Sequence, residues 1–180
     1  MEIKKITVGE LQTNCYLFIS DGESAVIDPG GEAPEILAWL KKAGAKPKYI
    51  INTHYHFDHT LANQAVKKDT GAFILIHEAE KDFIDFKADR FLKEGEEIKI
   101  GGEVLKIIHT PGHTPGSICL LGNGFLFSGD TLFDGGYGRT DLPGGSDNDM
   151  ALSLEKLDDV IEPKTKVYPG HGPEFIKLGE

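Results

Sequence analysis

The stretch His54-Tyr55-His56-Phe57-Asp58-His59 puts four metal-binding side chains into six positions, directly after the apolar run Tyr49-Ile50-Ile51. Side chains of a strand alternate faces, so His54 and His56 at i and i+2 are expected on one side. Asp58 and His59 are neighbours and cannot share a strand face. The chain is therefore expected to leave the strand near Phe57 and to present its last two ligands from a turn. Two neighbouring metal ions suit that arrangement better than one.

Three further candidates lie downstream: His113 in Pro111-Gly112-His113-Thr114-Pro115-Gly116, Asp130 in Phe127-Ser128-Gly129-Asp130-Thr131, and His171 in Tyr168-Pro169-Gly170-His171-Gly172. Each sits where an apolar strand gives way to a glycine-bearing turn, so all could converge on one edge. Five histidines and two carboxylates suffice for two ions with three protein ligands each and one shared carboxylate. His77 and His109 end strands outside any such motif and read as structural. His109 is also a candidate to orient a ligand by hydrogen bond.

The surrounding pattern is mixed. Strands are expected near 2–8, 14–20, 24–28, 48–53 and 72–77, then near 96–100, 103–109, 117–121, 124–128 and 166–168. Helices are expected from Pro34 to Ala43, from a Thr60 cap to about Lys68, over 78–86, and over 147–161. Two β-meanders, each covered by helices, make an α/β (α+β) four-layer αββα sandwich, one domain over residues 1–180. Much of the glycine excess, 22 residues in all, lies in the segment 135–145 around Arg139 and Asp141, which reads as a placed functional loop.

A net charge of −10 argues against a nucleic-acid backbone as partner, while bound cations would still make the site attractive to a small anion. No secretion signal or membrane-length apolar run is present, so a cytoplasmic protein is expected. Cys15 and Cys119 read as small buried hydrophobes. The pattern leaves the oligomeric state open.

The motifs Thr53–His59, Gly112-His113-Thr114, Gly129-Asp130-Thr131 and Gly170-His171-Gly172, with Leu11-Gln12-Thr13-Asn14-Cys15-Tyr16, resemble the metallo-β-lactamase-fold superfamily and within it the glyoxalase II (hydroxyacylglutathione hydrolase) branch. The resemblance implies that His54, His56 and His113 hold a first metal, that Asp58, His59 and His171 hold a second, and that Asp130 bridges them. Two divalent ions are implied, zinc by default and iron or manganese by the same donor set. A metal-bridging hydroxide would then hydrolyse a small anionic thioester such as S-lactoylglutathione, with Asp58 handling the proton and Arg139 binding a substrate carboxylate. Many β-lactamases of this fold carry Cys where this chain has Asp130, which disfavours antibiotic hydrolysis. Full-length glyoxalase II enzymes add a C-terminal helical domain to the glutathione site; this chain, ending at Glu180, is expected to lack it. The Gly138-Arg139-Thr140-Asp141 segment also resembles persulfide dioxygenases, which bind one iron with residues matching His54, His113 and Asp130. A non-thioester hydrolase of the same fold is a further alternative.

Overall fold

A computed structural model describes residues 1–177. Residues 178–180, the tail of the domain expected over 1–180, lie outside the described residues. Six strands form the first sheet: β1 (Glu2–Val8), β2 (Thr13–Ser20), β3 (Glu23–Ile27), β4 (Tyr49–Ile51), β5 (Phe73–His77) and β6 (Arg90–Leu92), in that spatial order. The first three are antiparallel, and β3 to β6 run parallel. Parallel neighbours need crossovers. Helix α1 (Ala33–Lys42) supplies the first; α2 (Phe57–Thr60) and α3 (Asn63–Thr70) supply the second.

The second sheet contains β7 (Glu97–Ile100), β8 (Glu103–His109), β9 (Ile118–Gly122) and β10 (Phe125–Gly129). A small hairpin, β11 (Leu132–Phe133) with β12 (Gly136–Tyr137), interrupts the sequence. Helix α4 (Asp147–Val160) then returns the chain to β13 (Lys166–Pro169), parallel to β10, and β14 (Phe175–Ile176) closes that edge.

Strand alternation decides the layering. Tyr16 and Phe18 of β2 meet Phe125 and Phe127 of β10 between the sheets, where Tyr16 and Phe127 approach to 5.2 Å between ring centroids. Cys15 and Leu17 point the other way, onto α1 and α3. Cys119 and Leu126 face α4 with Leu157. The αββα sandwich is thus the observed architecture, and the two free cysteines are buried in different outer layers. Among the described residues no helix is long and apolar enough to cross a membrane.

Local expectations failed where tertiary contacts overrode pattern. The fourth strand stops at Ile51, so His54 and His56 project from a loop and not from one strand face. Thr60 ends α2 instead of capping a helix, its Oγ1 donating to the His56 carbonyl. The helix expected over 78–86 is a single 3-10 turn, Glu78–Glu80, because Glu80 turns inward and is buried. Strand β6 leaves no mark in the sequence, since three residues with only Leu92 buried carry no periodicity.

Truncating Phe127 to alanine should lower the unfolding free energy by about 3–5 kcal/mol in urea titration, the range for an aromatic removed from a packed core. A cost under about 1 kcal/mol would deny that the two sheets share one core.

Candidate metal centre

Every candidate ligand sits just beyond a strand end at one edge of the sandwich. The loop after β4 carries His54 and His56, and α2 carries Asp58 and His59. His113 follows β8, Asp130 follows β10 and His171 follows β13. Carboxyl ends of parallel strands are where open α/β sheets leave their crevices. A register break between Phe127 and Gly129 turns the chain so that Asp130 enters the crevice.

Ligand-capable atoms gather in three overlapping groups, each with its atoms within 4.8 Å of one another: His54–His56–His113, His54–His59–Asp130 and Asp58–His59–His171. The structure thus brings together all seven residues singled out in the sequence. Asp130 is the hinge between groups. Its Oδ1 lies 3.4 Å from His59 Nε2, and its Oδ2 lies 3.5 Å from both His113 Nε2 and His171 Nε2. His171 Nε2 is 3.3 Å from Asp58 Oδ2 and 3.3 Å from His59 Nε2. A tetrahedral ion with bonds of about 2.0–2.1 Å sets neighbouring ligand atoms about 3.3–3.4 Å apart. These separations match that edge length, and buried His54 Nε2 and Asp130 Oδ1 have no hydrogen-bond partner. The residues therefore fit metal ions.

In four of the five rings the far nitrogen faces a protein group, which leaves the near one free to coordinate. His113 Nδ1 donates to the Arg139 carbonyl at 2.7 Å, and His171 Nδ1 to the Leu11 carbonyl at 3.1 Å. His54 Nδ1 lies 3.1 Å from Thr53 Oγ1, which donates to Asp28 Oδ2 at 2.7 Å. His59 Nδ1 is 3.0 Å from that same Asp28 oxygen. Asp28, at φ 51°, also accepts from the Thr53 backbone N–H, so one buried carboxylate steers two rings. No sequence pattern flagged it.

The Leu11–Tyr16 segment has a mechanical role. Asn14 Nδ2 donates to the carbonyls of Pro169 and Gly172, and Tyr16 donates its hydroxyl proton to Pro169. Thr13 Oγ1 donates to Asp58 Oδ2 at 2.9 Å. One segment thereby fixes both His171 and Asp58. On the other side, α4 holds the His113 loop: Ser153 donates to the Pro111 carbonyl, and Gly112 (φ 140°) lies so close that a Cβ would fall 2.5 Å from the Met150 backbone. A Cβ on Gly170 would sit 2.2 Å from Asp130 Oδ1, so that loop must be glycine to approach the site.

The electrostatics also favour cations. Burial, followed by the neighbouring imidazoles, pushes the His54 pKa well below the ordinary value, and burial with His113 brings His56 to about 4. Both stand neutral, the form that binds metal. Burial pulls His59 down too, but Asp130 and Asp28 outweigh it and raise the ring to about 9. Burial opposes ionisation of Asp58, yet the contacts from His171, His59 and Thr13 win and hold its pKa low.

The cavity above these residues, of about 470 Å³, is lined by Leu11, Tyr55, Phe57, Leu142 and Pro143 with Arg139 at its side. Arg139 does not stand free: its Nε and one terminal nitrogen pair with Asp141 at 2.7 Å each. His109 does not touch a ligand. It stacks on His77 at 4.0 Å and meets the Pro115 carbonyl at 2.8 Å, which is a structural role.

The sequence profile described as the Metallo-beta-lactamase superfamily matches residues 8–171. Hydroxyacylglutathione hydrolase GloC of Haemophilus influenzae is 36% identical over all of this chain and 94% of its own length. The crystal structure of BLEG-1, a B3 metallo-beta-lactamase, superposes with a TM-score of 0.91 at 33% identity, covering 97% of this chain and 94% of that one. TTHA1623 in a di-iron-bound form gives a TM-score of 0.87 at 31% identity, with 96% and 94% covered.

Asn14→Ala should release the 169–172 loop and weaken metal binding by His171, Asp58 and His59 about 10–100-fold, as loss of a group behind a ligand does. Chelator competition would register this as weakening of one ion with the other unchanged. Equal affinity before and after would refute the clamp.

Proposed function

The chain belongs to the metallo-beta-lactamase superfamily and is a metallo-hydrolase by that kinship, and from this premise we propose that it hydrolyses small anionic thioesters, such as S-lactoylglutathione, at a dinuclear centre. His54, His56 and His113 would hold one ion, Asp58, His59 and His171 would hold the other, and Asp130 would be shared between them. The observation that carries this reading is Asp130 facing His59 with one oxygen and both His113 and His171 with the other. Two divalent ions, zinc first and iron or manganese by the same donors, would lower the pKa of water and polarise a substrate carbonyl.

The protein side chains orient that chemistry. Thr13 anchors one oxygen of Asp58, and the ionised carboxylate is the group assigned to accept a hydrogen bond from the attacking water. Its low pKa makes it an orienting acceptor more than a proton store, since a strong general base titrates near working pH. Arg139 keeps one terminal nitrogen outside its pair with Asp141, enough to meet a substrate carboxylate at the cavity's side. Leu11, Phe57, Leu142 and Pro143 give the cavity an apolar rim against which a substrate can rest. Phe57 also borders a second hollow of about 510 Å³ that includes Leu61, Gln64, Phe86 and Lys87. A thioester has an acyl arm and a thiol arm, and the hollows on either side of Phe57 have room for both. A cytoplasmic pool of thioesters is the matching source of substrate.

Purified protein should contain about two metal ions per chain and turn over S-lactoylglutathione, and prolonged chelation should abolish that turnover. Asp130→Ala should cost more than the ~100-fold typical of groups behind a ligand. One iron per chain with oxygen uptake on glutathione persulfide would replace this reading with the dioxygenase. Faster hydrolysis of a penicillin or cephalosporin than of any thioester would replace it with the activity named for BLEG-1. Arg139→Ala should raise KM for S-lactoylglutathione about 10-fold, or 1.4 kcal/mol, and spare a neutral ester. A matching change with both substrates would reject the carboxylate-binding role.

A further inference from the structure

Buried against the loop that carries His113 lies a carboxylate that no step above uses. Glu80 follows β5 and is 0% exposed. Its Oε1 accepts from Thr114 Oγ1 at 2.5 Å and from the Gly116 backbone N–H at 2.6 Å. The Tyr55 backbone N–H lies near enough to favour the ionised form of the same carboxylate, without adding a hydrogen bond to those two. Thr114 Oγ1 is itself 2.7 Å from Ser117 Oγ, which also accepts from the Thr114 N–H, so the network closes on the His113 loop. A Cβ on Gly116 would fall 2.6 Å from Glu80 Cγ, so this loop rests directly on the side chain.

The partners are not scattered. Tyr55 stands between His54 and His56, and Thr114 follows His113. One buried carboxylate is thus hydrogen-bonded to the His113 loop and sits beside the backbone of the loop that carries His54 and His56, the two loops that hold all three residues of that group. Burying a carboxylate is costly, and one oxygen, Oε2, has no partner among the described residues. Burial accordingly raises the Glu80 pKa to about 7, against the contacts from Thr114, Gly116 and Tyr55. A neutral residue would sit there at lower cost if filling space were the whole task.

We propose that Glu80 is a positioning residue for one metal only: it clamps the 54–56 loop to the 113–116 loop and so sets metal affinity at His54, His56 and His113 without touching the ion. The proposal rests on the dinuclear reading above and adds a division of labour to it. Glu80 serves the first ion, while the Leu11–Tyr16 segment serves the second. Anionic acceptors make shorter and stronger hydrogen bonds than neutral ones, so charge as well as shape matters at this position.

The test is zinc titration against a chromophoric chelator in the full chain, with Glu80→Ala and Glu80→Gln placed in two backgrounds. His171→Ala keeps the first site intact, and His113→Ala keeps the second. In the His171→Ala background, Glu80→Ala should weaken zinc about 10–100-fold and Glu80→Gln by a smaller factor. In the His113→Ala background neither change should move zinc affinity by more than about two-fold, and circular dichroism should be unaltered. A purely structural role would weaken both sites alike, and that result overturns the proposal. Unchanged affinity in the His171→Ala background overturns it too. If the alanine variant does not fold, the glutamine variant decides by the same comparison. The dinuclear reading fails separately, when the wild-type chain titrates with a single zinc; Glu80 is then judged by whether its removal weakens that one ion.

Discussion

Asp130 has three imidazole nitrogens within 3.5 Å of its two oxygens, and two more carboxylates, Asp28 and Asp58, lie against the same histidines. Rings and carboxylates this close compete for few protons: burial and the neighbouring rings push the His54 pKa down, while Asp130 and Asp28 outweigh burial and push that of His59 up. Divalent cations are the species that satisfy such a donor set without a proton count to balance. Most of the molecule at this edge can be read as apparatus for holding that crowd in place.

The apparatus works through hydrogen bonds one step removed from the site. Asp28 steers His54 through Thr53 and meets His59 directly; backbone carbonyls at Leu11 and Arg139 take the far nitrogens of His171 and His113. Those carbonyls are well placed because their own segments are pinned, Leu11 by the positive-φ turn at Gln12 and Arg139 by the loop that Tyr55 anchors at Pro143. Glycines complete the arrangement by omission. Gly138 and Gly170 let backbone approach Asp130 where any Cβ would collide with its carbonyl or its carboxylate.

The two-layer β plan and the seven clustered residues were legible because both leave periodic or local marks. Short apolar runs such as Cys15–Ile19 and Phe125–Phe127, bounded by glycine turns, mark the strands, and His54–His59 crowds ligands into one loop. Other features carry no such mark. Asp28 and Glu80 look like ordinary acidic residues, and only the folded chain brings Asp28 to Thr53 and Glu80 to Thr114. Leu11–Tyr16 matched a family pattern, but its function as a clamp on Pro169 and Gly172 is a contact across more than 150 residues. The expected helix over 78–86 failed for a related reason: local propensity cannot register that Glu80 is drawn inward. The same limit applies to the loop after β4, where tertiary contacts, and not strand alternation, aim His54 and His56.

This division bears on what can be inferred about substrate. The inner half of the site is over-determined, since five of the seven candidate ligands have a supporting group and several supports are buried. The outer half is built differently. Leu11 and Phe57 are exposed, and Arg139 meets solvent with an aspartate as its partner. Exposed side chains on loops can change without disturbing the buried network, so rim chemistry can vary while the metal chemistry stays constant. Membership of the superfamily therefore speaks to metal-dependent hydrolysis, and the rim speaks to the acyl group. Leu11, Phe57, Arg139 and Leu142 line the cavity outside the ligand cluster, so differences there alter what can enter without altering the donor set.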